Sequence, residues 1–455
     1  MTPVPKGKPG MPLKDLKDVR KIASTSDFSK IFESFLVKLI LEDASHKLSK
    51  RQFGGRKGVG TEHAIVAIID RIKYLLDSPE KPSVILNSYD WQGAFDRLDP
   101  TKVTIKCINI GIRSSVVKIL IDFLNERKME VKMNQKTSSS YDLIGGGPQG
   151  SLIGQILYII GSDDAAEDVP EEDKFKYVDD LITLDSLNVR ENLTEYDVHN
   201  HVPSDIAIGE RFLTQDAFKS QSYNDSIALW TSDNKMKIHE KKSKYMVFSN
   251  MKEKFSTRLT LNDQVLERAK EMVHLGIVIT EDMSWDRNIT EICKKAYPRV
   301  KMLTKLKFVG VRTEELIELY CLYIRSLTEY CSSAFHSSLS NRLSNKLENI
   351  QKVCLKVILN VMYVSYEAAL EMCGLEALHV RREHRSLEFA LKCVRHETNK
   401  NMFPLNPSTD THPVRNREVF KVNKCLTESY RKSTIPNLQR RLNLHHEEKQ
   451  KPRVL

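Results

Sequence analysis

The segment Lys174 to Leu184, Lys-Phe-Lys-Tyr-Val-Asp-Asp-Leu-Ile-Thr-Leu, restricts the fold more than any other stretch of the chain. Its arms are rich in aromatic and β-branched residues, which favour strands, and two adjacent acids interrupt it at the centre. The pattern predicts a hairpin turning at Asp179 and Asp180. Ser83 to Asp90 (Ser-Val-Ile-Leu-Asn-Ser-Tyr-Asp) predicts a short buried strand that also ends in a carboxylate. Asp90, Asp179 and Asp180 therefore fall at strand ends or at a hairpin tip. Clustered acids on a rigid sheet suit Mg²⁺, a hard cation that takes oxygen ligands and keeps several waters and phosphates. Two such ions about 3.5–4 Å apart can activate a hydroxyl nucleophile and stabilise a departing pyrophosphate. An Asp-Asp pair by itself reads as a solvated surface turn, and the chain has another at Asp163 and Asp164.

The surrounding pattern is mixed at first and helical later. Residues 1–20, rich in Lys, Pro and Gly, read as loop. Apolar positions at spacings of three and four (Phe28, Ile31, Phe32, Phe35, Leu36, Leu39, Ile40) predict an amphipathic helix from Asp27 to Leu48, and another follows from His63 to Leu76. Val116 to Asn125 has helical spacing. The apolar run Leu152 to Ile160 has helical length and is entered through Gly145-Gly146-Gly147-Pro148-Gln149-Gly150, which breaks regular structure. Further strands are expected at Tyr245 to Ser249 and Val273 to Ile279. Beyond Trp285 the periodicity is helical almost to the end, most clearly across Glu314 to Leu327 and Leu343 to Leu359.

Charge divides at nearly the same place. Residues 1–290 carry 41 basic and 43 acidic side chains and residues 291–455 carry 29 and 17, so the whole net charge of +10 resides in the C-terminal third. Such a surface suits a polyanion partner, or simply keeps the protein soluble. With 455 residues, 40% of them apolar, the chain can bury a sizeable core. No two of the eight cysteines stand at the C-x-x-C spacing of zinc ribbons and redox motifs, so reduced thiols are expected. No run approaches the ~20 apolar residues that span a bilayer, and no signal-peptide core follows Met1. An intracellular protein with no membrane partner is expected.

In order along the chain stand Ser-Tyr-Asp90-Trp-Gln-Gly-Ala-Phe95-Asp96-Arg-Leu-Asp99, Gly146-Gly147-Pro148-Gln149-Gly150-Ser151, Tyr177-Val178-Asp179-Asp180, His239-Glu240-Lys241-Lys242-Ser243-Lys244, and His274-Leu275-Gly276-Ile277. This ordered set closely resembles the successive motifs of the reverse transcriptases of non-LTR (LINE-like) retrotransposons. Upstream, Pro5-Lys6, Arg20-Lys21-Ile22, Ser29-Lys30-Ile31-Phe32-Glu33 and Gln52-Phe53-Gly54-Gly55 are similar to the fingers segments of that family. The resemblance implies an α+β fold, a right-hand polymerase with an antiparallel palm sheet and helical fingers followed by an all-helical thumb and C-terminal region. Fingers and palm would occupy residues 1–285, and the thumb with the basic C-terminal region residues 286–455.

The resemblance also implies an RNA-directed DNA polymerase, incorporating dNTPs on an RNA template from a DNA primer with two Mg²⁺ ions, for which Mn²⁺ can substitute. Asp90, Asp179 and Asp180 would be its metal-binding acids. Phe95 would be the steric gate against a 2′-hydroxyl, Lys6 and Arg20 would grip the triphosphate, and Gln149 would lie against the incoming nucleotide. Lys242 would donate a proton to pyrophosphate, with Lys241 and Lys244 as neighbouring alternatives. His274, Leu275 and Gly276 would form the primer grip, and the basic C-terminal helices would follow the template and primer backbones.

Three departures touch backbone geometry, because proline fixes φ and removes a donor. Lys21 and Gln155 stand where the family commonly has proline, and His239-Glu240 stands where it commonly has Asn-Pro. A loop around residues 188–203 is expected to be mobile, before a helix from Ser220 to Asn234. The chain opens at the fingers motifs, so no upstream endonuclease is expected on it, and no RNase H constellation or zinc knuckle reads out after residue 290. A catalytically inactive retroelement remnant that binds nucleic acid is the alternative. An RNA-directed RNA polymerase is disfavoured by Phe95 and by Tyr177-Val178 before the acids, where glycine is usual.

Overall fold

The computed structural model describes residues 2–5, 19–80, 83–133, 135–143, 145–187, 193–194, 211–213, 219–250, 255–256, 258–406 and 418–450. A five-stranded sheet orders Glu267–Arg268, Lys244–Phe248, Ser83–Tyr89, Asp180–Leu187 and Lys174–Tyr177 side by side. Ser83–Tyr89 is central and antiparallel to both neighbours, with Tyr89 opposite Leu181 and Ser88 opposite Lys244. Lys174–Tyr177 adds antiparallel to Asp180–Leu187. The expected antiparallel sheet holds for these four strands. The two-residue edge strand Glu267–Arg268 instead runs parallel to Lys244–Phe248, so the sheet is mixed.

Burial on both faces explains the unbroken apolar run at the centre of the sheet. Val84 and Leu86 point to one face and pack, with Phe175, Ile182 and Met246, against Ile65, Ile68 and Ile72 of the helix Thr61–Leu76. Ile85 and Tyr89 point to the other and pack, with Leu181 and Val247, against Tyr223 and Ile227 of the helix Ser220–Asp233. The first cluster continues into the helices Asp286–Phe308, Asn341–Leu359, Leu378–Arg395 and Thr434–Gln450 through Ile289, Leu347, Phe389 and Leu438. One apolar core thus runs across residue 285. A separate cluster joins the helices Asp27–Ala44, Pro100–Asn109, Ser114–Leu124 and Leu152–Gly161.

Several expectations need correction. Residues 1–20 are not all loop, because Thr2–Pro5 pairs antiparallel with Val19–Ile22. The helix Asp27–Ala44 ends four residues early and buries Glu33, Leu36, Ile40 and Ala44, leaving Phe28, Ile31, Phe32 and Phe35 exposed. Val273 to Ile279 is not one strand but a hairpin of Glu271–His274 and Ile277–Thr280. Its turn residues, Leu275 and Gly276, both have positive φ (46° and 83°), the geometry of a two-residue type I′ loop. The loop expected at 188–203 lies, apart from residues 193–194, outside the described residues. All eight cysteines are reduced, and burial pushes the Cys107, Cys331, Cys354 and Cys393 thiols up to about 12. Among the described residues, no single helix is long and apolar enough to cross a membrane.

Candidate active site

Asp90 follows the central strand directly, and Asp180 opens the neighbouring strand. Because Tyr177 pairs with Asp180, the turn is Val178-Asp179, one residue earlier than the sequence pattern suggests. Val178, not Asp179, has positive φ, at 57°. Two-residue loops of this kind ordinarily place glycine there, and a β-branched residue in that region is strained by about 1–3 kcal/mol. Antiparallel pairing of the two strands brings all three carboxylates to one end of the sheet. Asp179 is exposed, whereas Asp180 is half-buried. Burial pushes the Asp180 carboxyl up to about 6, and the charges of Asp179 and Asp90 add to the rise.

Lys242 places its ammonium 3.6 Å from Asp90 Oδ2. Of its neighbours, Lys244 turns instead to Glu267, at 2.8 Å. The segment that carries Lys242 is laid against Asp90 by one main-chain bond and one bond to a side-chain hydroxyl. His239 N–H donates to the Asp90 carbonyl at 2.7 Å, and Asp90 N–H donates to Ser243 Oγ at 3.1 Å. The donor chemistry fits a divalent cation, since like-charged carboxylates gain from one between them. Among the described residues no three His, Cys, Asp or Glu side chains stand close enough to hold an ion alone. Mg²⁺ is commonly bound by one or two carboxylates with waters and phosphates, so a closed protein cage is not required.

Phe95 is half-buried, its ring stacked on buried Tyr158 at 5.0 Å between centroids. The glycine loop is tied to the same turn: Gly147 N–H donates to the Phe95 carbonyl at 2.6 Å and Gly146 N–H to the Leu98 carbonyl at 2.9 Å. Gly146 has φ of 81°, and a Cβ there would meet the Asp96 carbonyl at 2.8 Å, so only glycine fits this approach. Gln149 is half-buried, and its carbonyl accepts the Ala23 N–H at 2.7 Å. Lys21 reaches Asp96 at 3.3 Å. Arg20 lies in the strand Val19–Ile22 opposite Val4, whereas Lys6 falls outside the described residues.

His274 is buried at the end of its strand, and burial holds its imidazole down at about 4, so it is neutral at pH 7 and lends no charge to a phosphate. The adjoining turn is fixed from outside. Tyr330 donates its hydroxyl to the Leu275 carbonyl at 2.7 Å, lies 3.1 Å from the Thr61 hydroxyl, and covers Gly276 with its ring. A groove of about 610 Å³ lined by Ser88, Lys242, Gly276, Arg287 and Lys295 leads from beside Asp90 to the helix Asp286–Phe308. Glu33, Gln52 and Tyr330 were not singled out as site residues by sequence reasoning. Glu33 and Gln52 carried a signal only as members of the fingers segments.

No family model matches the chain. It is 22% identical over 288 residues to the RNA-directed DNA polymerase from the mobile element jockey of Drosophila melanogaster, covering 61% of this chain and 28% of that one. It is 27% identical over 172 residues to the probable RNA-directed DNA polymerase from transposon X-element of the same fly, covering 37% and 18%. For the corresponding protein from transposon BS the identity is 21% over 324 residues, covering 69% and 33%. The chain thus spans a third or less of the length of these relatives. Among solved structures, telomerase from Candida tropicalis with a telomeric RNA fragment aligns at a TM-score of 0.42 and 13% identity over 81% of this chain and 50% of that one. Over most of its length the chain is thus similar, at modest identity, to RNA-directed DNA polymerases of Drosophila mobile elements.

Proposed function

We propose that the chain is a template-directed DNA polymerase that copies RNA. The observation that carries the reading is the convergence of Asp90, Asp179 and Asp180 at one end of the sheet, where burial and then the charges of Asp179 and Asp90 raise the Asp180 carboxyl. In this reading residues 1–285 supply fingers and palm, and residues 286–455 supply the thumb and a basic surface for template and primer. Asp90, Asp179 and Asp180 would hold two Mg²⁺ ions, which when bound lower the pKa of the primer's 3′-hydroxyl and neutralise charge on the departing pyrophosphate.

The chain's own residues do the rest. The ring of Phe95, backed by Tyr158, forms a wall beneath the incoming sugar and excludes a 2′-hydroxyl. Gln149, anchored by its carbonyl to Ala23, orients the base of the dNTP. Lys242, within reach of Asp90, delivers a proton to the pyrophosphate oxygen as the bond to the α-phosphorus breaks. Lys6 and Arg20 bind the triphosphate, and the turn at Leu275-Gly276, clasped by Tyr330, supports the primer terminus.

The test is extension of a DNA primer on an RNA template with Mg²⁺ and dNTPs, by the parent chain and by Asp179→Asn. The parent is expected to extend and the variant to stop while keeping its circular dichroism. Equal extension by both would sink the assignment of Asp179. Salt-sensitive RNA binding without incorporation by either would point to the inactive binding remnant instead.

A further inference from the structure

We propose that Gln52 is a positioning residue for the turn that presents Asp179 and Asp180, its carboxamide oxygen holding Val178 in a conformation that the valine itself disfavours. The inference rests on the polymerase reading and assigns this side chain a task within that site. Gln52 is 1% exposed. Its Oε1 accepts the N–H of Val178 at 3.1 Å and the N–H of Gly54 at 3.1 Å. Both partners are main-chain donors, so the oxygen, and not the amide nitrogen, must face them. The Nε2 is buried and makes no hydrogen bond among the described residues. Only the acceptor end of the side chain is therefore in use.

The main chain around Gln52 is built for this approach. Phe53 N–H donates to the Lys176 carbonyl at 2.8 Å and Lys176 N–H donates to the Arg51 carbonyl at 3.0 Å, so residues 51–53 run along the strand that leads into the turn. The Phe53 ring stacks on Phe175 in the core at 6.4 Å, which fixes the segment against that strand. At Gly54 a Cβ would lie 2.6 Å from Val178 Cγ2 and 2.7 Å from Val178 N, closer than atoms can stand. The absent side chain lets the two backbones meet, and the Gln52 oxygen closes the junction. Without that acceptor, the N–H of a strained turn residue would lose its partner in a partly buried place, and the turn would have a reason to relax. The carboxylate beside it would then move relative to Asp90.

Gln52→Met keeps the length and bulk of the side chain and removes the acceptor. Gln52→Glu keeps an acceptor oxygen and replaces an amino group that had no partner. Amide hydrogen exchange of the metal-free chain reads the clasp directly. The Val178 and Gly54 amides are expected to exchange slowly in the parent, at least tenfold faster in Gln52→Met, and near the parent rate in Gln52→Glu.

In primer extension the Mg²⁺ concentration for half-maximal rate is expected to rise roughly tenfold in Gln52→Met, the low end for groups that orient metal ligands, with the dNTP KM at saturating Mg²⁺ unchanged. Titration of Mn²⁺ binding by electron paramagnetic resonance should show the same shift. A Val178 amide that exchanges at the open-loop rate in the parent would overturn the proposal. So would Gln52→Met with parental exchange and parental Mn²⁺ affinity. A parent that fails to extend primers would sink the polymerase reading, whereas the exchange and Mn²⁺ arms would still decide the role of Gln52.

Discussion

Glu33 reaches from the buried face of the helix Asp27–Ala44 to Ser151, whose hydroxyl donates to its Oε2 at 2.7 Å. The same oxygen accepts the N–H of Leu152 at 2.8 Å, so a carboxylate from a distant helix caps the helix Leu152–Gly161 immediately after the Pro148-Gln149-Gly150 loop. An acceptor at a helix N-terminus satisfies N–H groups that lack intrahelical partners, and this one is 1% exposed. Glu33→Ala leaves those donors buried and is expected to cost about 2–3 kcal/mol, whereas Glu33→Gln, which keeps an acceptor, should cost about 1 kcal/mol. Urea unfolding midpoints of the two variants check the order. Equal losses would mean that the site responds to lost packing and not to the cap.

Asp70 lines a cavity of about 430 Å³ between the helix Thr61–Leu76 and the C-terminal residues Asn399, Tyr430 and Gln439. Its Oδ1 is sealed and accepts no hydrogen bond among the described residues. Burial pushes its carboxyl up to about 7, against the opposing pull of Arg51, Arg71 and Lys73. The unfolded chain releases this proton near pH ~4, but the folded chain keeps it to about pH 7. The stability contributed by the protonated group is therefore complete below about pH 4 and is lost as pH rises through about 7. Asp70→Asn should flatten the stability profile across that window and be more stable than the parent by about 1–2 kcal/mol near pH ~8, discounting for the nearby cations and for water in the cavity. Parallel profiles for parent and variant would refute the assignment.

How much of this was legible in the sequence depends on whether an element is governed by local pattern or by a distant partner. The strand Ser83–Tyr89 was readable because burial on both faces leaves a continuous apolar run, and its end at Asp90 followed directly. The hairpin at 174–187 was readable too, but its turn was placed one residue late. Two acids look like turn residues, while the chain puts Val178 at positive φ, a choice sustained by Gln52 126 positions away. The helix Asp27–Ala44 misled because its largest apolar residues, Phe28, Phe32 and Phe35, face outward. Its inner stripe instead carries a glutamate whose partners lie at residues 151 and 152. Periodicity finds a helix but cannot say which of two apolar stripes meets the core.

The helix Asp286–Phe308 shows the same division of faces. Ile289, Ile292, Ala296, Val300 and Leu303 turn inward, so Lys295, Lys301 and Lys305 stand exposed on the outer side. Lys295 also lines the same groove as Lys242. If this face follows a phosphate backbone, each lysine that meets a phosphate contributes about 0.7–0.9 to the slope of log affinity against log salt. Replacing Lys295, Lys301 and Lys305 together by alanine should therefore weaken binding of a primer–template duplex and lower that slope by about two to three. The unfolding midpoint should move little, because exposed lysines away from caps and networks seldom change stability by more than about 0.5 kcal/mol. Filter binding over a salt series reads the slope. A parental slope in the triple variant would place the nucleic acid on another face of the protein.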